Sequence, residues 1–292
     1  MNDQVKGLLI TTLGVLLIVP DSLFVRLIQA EPLVTSFWRG LISGLVVAIV
    51  LLVFHGTRGF RAVLRAGRPA ALYIALIAST PLAFVMAVSN TSVANVVFIF
   101  ASMPVFAAIF SRIFLGEPIS RRMVLTMAGV MIGLAILAYG SGESEIASWK
   151  GDIWALYISV AFAGALTTVR QVRDISMVPA VPVAYIGAAI LLGLFSDPME
   201  AFHQQPGLIL SHGAFIGAAS CLLALGPRYI SSAEVSLLVL LESVLAPLLV
   251  WFVVGEDPGS WALVGGAVVI GVLLASNLVA LKKTVSAKKK TP

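Results

Sequence analysis

Glu242 stands near the middle of an apolar run, Ile230 to Pro258, where an ionisable group at bilayer depth costs about 2.5–3.5 kcal/mol and so needs a cavity or a partner. It reads either as the counter-ion of a substrate ammonium or a proton-accepting carboxyl, with Ser243 beside it, or as a protonated carboxyl that ties two helices together. A second set, Asp21, Arg26 and Arg39, lies in the first two apolar stretches. Pro20 leaves a carbonyl in the preceding turn free, so a kink beside a carboxylate is a hinge and a ligand point. An arginine here either pairs with Asp21, snorkels to the interface, or holds a substrate carboxylate. Asn95 and Glu234 take matching places in two related stretches and read as gate residues on opposite sides, or as solvated helix ends. Trp38, Met86, Phe98, Phe100, Met103, Trp154 and Tyr157 supply candidate pocket walls for an apolar side chain. Pro104 and Pro247 add bends deeper in their runs.

Other chemistry finds little support. No G-x-x-x-x-G-K-[ST] loop is present for a nucleotide. His55, His203 and His212 are scattered and lack H-E-x-x-H spacing. The single Cys221 excludes an internal disulfide and most thiolate metal sites, so neither metal nor cofactor is expected. An enzyme is not the expected reading.

The elements that must hold these residues are membrane spans. With 59% hydrophobic and 11% charged residues and a mean hydropathy of +1.03, too little polar surface exists to cover a soluble globule. Barrel-strand alternation is absent, so the spans are helical. Runs begin near Val5, Val34, Pro69, Thr91, Met123, Ile153, Val181, Leu208, Ile230 and Trp261, ten in all. The fourth and ninth superpose without a gap, Gly116-Glu117 on Gly255-Glu256, with Ser92 on Ser231 and Ala94 on Ala233. This chain reads as one five-span unit written twice: 1–140, an acidic linker 141–152, a second unit 153–281, and a basic tail 282–292.

Positive charge fixes the orientation. With the N-terminus cytoplasmic, Arg58, Arg61, Arg65, Arg68, Arg121, Arg122, Arg170, Arg173, Arg228 and the tail lysines all lie inside, and of the outer connections only one holds a basic residue, Lys150. The net charge of +5 is thereby topology rather than a nucleic-acid surface. An odd-span unit repeated in tandem lies upside down in its second copy, the arrangement of alternating-access transporters.

Ser102-Met103-Pro104-Val105-Phe106-Ala107-Ala108 running to Leu115-Gly116-Glu117, Leu241-Glu242-Ser243 running to Gly255-Glu256, and Phe37-Trp38-Arg39 resemble the EamA-type drug/metabolite transporter superfamily over nearly the whole chain. The chain departs from it in having Val19-Pro20-Asp21-Ser22 where a Trp-Gly is usual, and Ser243 where proline often follows the glutamate. The resemblance, closest to the YddG-like amino-acid exporter branch, implies an all-α protein of ten transmembrane helices in two inverted five-helix repeats around a central cavity. It implies export of amino acids across the inner membrane, with drugs or other small metabolites as the alternative. The candidate substrate-binding residues are Asp21, Trp38, Arg39, Asn95, Phe98, Tyr157, Glu242 and Ser243.

Overall fold

The computed structural model describes residues 3–90, 96, 99–100, 102–141, 149–255 and 259–288; Asn95 and Phe98 lie outside them. Among the described residues every regular element is helical. In order these are α1 (Asp3–Ile18), α2 (Asp21–Leu27), α3 (Pro32–His55), α4 (Arg58–Arg65), α5 (Arg68–Asn90), α6 (Met103–Leu115) and α7 (Arg121–Ser141). There follow α8 (Trp149–Gln171), α9 (Ala180–Gly193), α10 (Met199–Gln204), α11 (Pro206–Leu225), a 3-10 turn (Gly226–Arg228), α12 (Ser232–Val254) and α13 (Gly259–Lys288). Among the described residues five helical stretches are long and apolar enough to cross a membrane, or six if the bent pair α4 and α5 forms one span. The protein is a multi-pass membrane protein.

The first span breaks where the proline predicts. α1 ends at Ile18, Pro20 takes φ −69 and ψ −4, and its carbonyl accepts from Phe24 N at 2.9 Å to start α2. Asp21 therefore opens a new helix. α6 begins at Met103, one residue before Pro104, so that proline sits in the first turn, where its missing N–H costs nothing. α12 runs through Pro247 without a break.

Both Gly-Glu motifs act as helix stops. Gly116 (φ 67) caps α6 and Gly255 (φ 82) caps α12, each in the left-handed region that a side chain resists. The basic stretch after α3 is not a loop. Arg58, Arg61 and Arg65 on one face and buried Val63 on the other make an amphipathic helix, set at 106° to the start of α5.

Packing follows a two-fold rule. Exchange α1 with α8, α3 with α9, α5 with α11, α6 with α12 and α7 with α13, and the principal helix contacts map onto one another: α5 on α8 becomes α11 on α1, and α3 on α11 becomes α9 on α5. The pairs α3 with α9, α6 with α12 and α7 with α13 map onto themselves. The closest of these, α7 on α13, depends on missing side chains, since a Cβ on Gly133 would lie 3.0 Å from the Gly265 carbonyl oxygen. Gly266 likewise admits Val244, whereas Gly271 meets nothing within 4 Å.

One end of the bundle gathers the cations. Arg170 Nε donates to Glu117 Oε1 at 2.7 Å, Arg122 pairs with Glu234, Lys6 lies 4.6 Å from the centre of the Tyr229 ring, and Gly59 abuts Pro179. α12 starts at this end and rises about 1.5 Å per residue, so Gly255 lies on the order of 35 Å away, at the opposite end from Gly116.

Candidate functional site

Asp21, Arg39 and His212 meet inside the bundle. Arg39 donates twice to Asp21, Nη2 to Oδ2 at 2.8 Å and Nε to Oδ1 at 3.2 Å. His212 Nε2 lies 2.5 Å from the same Oδ1. Asp21 is 3% exposed and His212 1%, and the imidazole stacks on Phe24 with ring centres 5.2 Å apart. Three elements supply the set. The break at Pro20 turns Asp21 inward at the head of α2, Arg39 comes from the second turn of α3, and His212 from the second turn of α11. α3 and α11 can approach because α11 carries glycine at the crossing: a Cβ on Gly217 would lie 3.0 Å from the Ser43 carbonyl oxygen. Ser43 in turn donates to the Arg39 carbonyl at 2.5 Å, which ties the backbone of that turn.

Glu242, half-buried on α12, lies within electrostatic reach of both Asp21 and Arg39. Among the described residues its carboxylate makes no hydrogen bond or ion pair, and Ser243 follows it, also half-buried. Tyr185 of α9 completes the surroundings, its hydroxyl 2.7 Å from Ser220 Oγ. The cluster thus holds one paired carboxylate, one unpaired carboxylate, one guanidinium already engaged and one imidazole.

Around it the expected residues divide. Arg39 pairs with Asp21 and so is not an open receptor for a substrate carboxylate in this conformation. Trp38 works as a latch: its indole donates to the Pro198 carbonyl at 2.7 Å and stacks on Phe202 at 4.6 Å. With Arg39 and His212 it lines a crevice packed too tightly to admit water. Tyr157 is 41% exposed and its hydroxyl is spent on Ser79 at 2.7 Å, joining α8 to α5 instead of the Asp21 set. Glu234 is no solvated helix end. It forms a capping box with Ser231 and pairs with Arg122, which also reaches Ser276 Oγ at 3.1 Å.

At the cation-rich end a cavity of about 200 Å³ opens among Ser111, Glu117, Arg122, Met123, Ser231 and Glu234. Ser111 Oγ and Glu117 Oε2 are buried there without a hydrogen-bond partner among the described residues. Both ion pairs at this mouth, Arg170 with Glu117 and Arg122 with Glu234, join the first half of the chain to the second.

His212, Arg122 and Arg170 are candidate functional residues that motif reading passes over. His212 lies seven residues into an apolar helix, and its rarity at such depth is the signal, whereas histidine spacing is not. The two arginines look like topology markers alone until the fold brings their acids to them.

Helices paired by a two-fold exchange, with buried charge between the halves, define a helical membrane protein of two repeated units. The profile of the EamA-like transporter family matches residues 5–139 and again 149–278, and the chain belongs to that family. Among the solved structures it matches, one titled only "Crystal structure of protein" shares its fold, with a TM-score of 0.80 and 18% identity over 95% of this chain and 99% of that one. No curated protein matches the chain significantly.

Proposed function

We propose that the chain exports amino acids, aromatic and apolar ones among them, across the inner membrane by alternating access, in the amino-acid exporter branch of its family. The observation that carries this is Glu242, a carboxylate inside the bundle with no ion-pair partner among the described residues, beside a guanidinium that already has one. Ionising an unpaired buried carboxyl is costly unless something cationic visits it. The ammonium group of a substrate is that visitor.

Units 1–140 and 153–281 form the two inverted repeats of a ten-span protein, with both termini cytoplasmic. The two-fold contact pattern and the placing of Gly116 and Gly255 at opposite ends support this. The cation-rich end is the cytoplasmic one. Its cavity is the entrance, and the interhalf ion pairs of Glu117 and Glu234 part when that side opens.

Counterflow in proteoliposomes tests the reading. Vesicles preloaded with unlabelled phenylalanine or leucine should take up labelled phenylalanine faster than empty ones. Exchange of lipophilic amines without amino acids moves the substrate to the drug class, and exchange of neither across a broad panel overturns the transport reading.

A further inference from the structure

The cavity at the cation-rich end is lined by two polar atoms that the fold leaves to it. Ser43, Thr126, Thr167 and Ser236 each return their hydroxyl to the carbonyl four residues back, the usual outlet for such a group inside a helix. Ser111 of α6 does not: it is 4% exposed, and its Oγ has no hydrogen-bond partner among the described residues. Glu117 gives Oε1 to Arg170 at 2.7 Å, while its buried Oε2 has no partner among them either. A carboxylate oxygen can only accept and a hydroxyl has two lone pairs to offer, so together they suit a positively charged donor with several hydrogens. We propose that this cavity is a second amine site, an intake at the cytoplasmic mouth where Glu117 Oε2 and Ser111 Oγ hold the ammonium of an incoming amino acid before it reaches Glu242. This rests on the reading of the chain as an amino-acid exporter with that end cytoplasmic.

The rest of the wall fits the rest of the ligand. Arg122 lines the same cavity, so a guanidinium is at hand for the amino acid's own carboxylate. Arg170 with Glu117 and Arg122 with Glu234 are two neutral pairs, and a zwitterion laid between them adds no net charge. Ala108, Pro118, Ile119 and Met123 supply apolar wall for its side chain. The volume of about 200 Å³ lies below the roughly 300–1,000 Å³ of drug-sized sites, which suits a ligand as small as one amino acid. A divalent metal fits poorly: two oxygens fall short of the six or so it takes, and among the described residues no three of His, Cys, Asp and Glu converge. The site is separate from the central one, since Glu242 stands eight residues beyond Glu234 on α12, about 12 Å along its axis.

Protection of a thiol in the cavity wall reads its occupancy. In the full chain in detergent, with Cys221→Ser, the exposed wall position carries Ile119→Cys and is treated with N-ethylmaleimide. Saturating phenethylamine or phenylalanine should slow modification about tenfold, and 3-phenylpropionate, which lacks the ammonium, should slow it far less. Adding Ser111→Ala removes a hydroxyl without a partner among the described residues, which costs the fold little. Equal protection should then need about tenfold more of either amine, the loss of one charge-assisted hydrogen bond. Glu242→Gln should leave protection as it is. Protection unchanged by Ser111→Ala overturns the assignment. So does protection that Glu242→Gln abolishes, which puts the amine at the central carboxylate, and so does protection by sodium chloride alone, which makes the ligand an inorganic cation. Phenylalanine counterflow in the same preparation judges the exporter reading separately: exchange without protection strikes this site alone, and protection without exchange sinks the exporter reading and the intake role that rests on it.

Discussion

At the scale of single residues, Asp21 and Glu242 are two carboxylates with opposite accounts. Asp21 holds Arg39 and His212 in place, and removing one partner of a buried pair strands the other charge. Asp21→Asn should lower stability by about 3–5 kcal/mol, read as an earlier thermal unfolding transition in detergent. Glu242 has nothing to strand. Glu242→Gln should leave that transition in place while labelled phenylalanine exchange falls roughly ten- to a hundredfold, the worth of a charge-assisted contact. A large loss of stability in Glu242→Gln with exchange intact would make the carboxyl a strut between helices instead. Asp21, Arg39 and Glu242 were legible in the sequence because ionisable groups inside apolar runs are rare enough to stand out. Their grouping was not, since the bond from Asp21 to His212 spans 191 positions. Glu234's partner Arg122 lies 112 positions away, and Ser79, to which Tyr157 donates, 78.

At the scale of elements, stops and breaks were easier to read than shapes. Gly-Glu-Pro and Gly-Glu-Asp-Pro announce helix ends because glycine alone enters the left-handed region without strain, and Pro20 announces a break because it lacks a donor. α4 escaped notice since its eight residues are too short for periodicity to outweigh four nearby arginines. The caps allow a clean measurement. Nothing lies within 4 Å of a Cβ built on Gly116 or Gly255, so alanine there should cost only the backbone strain, about 1–2 kcal/mol at each. Gly217→Ala tests a different quantity, the approach of α11 to α3. With the Ser43 carbonyl 3.0 Å from the added carbon, overpacking should cost about 1–3 kcal/mol.

At the scale of the whole molecule, the charge asymmetry and the repeated Gly-Glu motif were enough to expect two units of equal span number, and the helix contacts repeat under the corresponding exchange. What the sequence could not disclose is that the halves are joined at both ends, by Trp38 on Pro198 at one and by Arg170 on Glu117 at the other. Glu117→Gln should loosen the second join, seen as faster thiol labelling of a cysteine placed at Ser111 in the adjoining cavity.

The central claim, two units lying in opposite senses across the bilayer, is tested most directly by labelling from one side. In a Cys221→Ser background, Ile119→Cys marks the turn after Gly116 and Ser260→Cys the turn after Gly255, both exposed positions. An impermeant thiol reagent added to intact cells should modify only Ser260→Cys, and Ile119→Cys only after permeabilisation. Modification of both from the same face of the membrane would contradict the account.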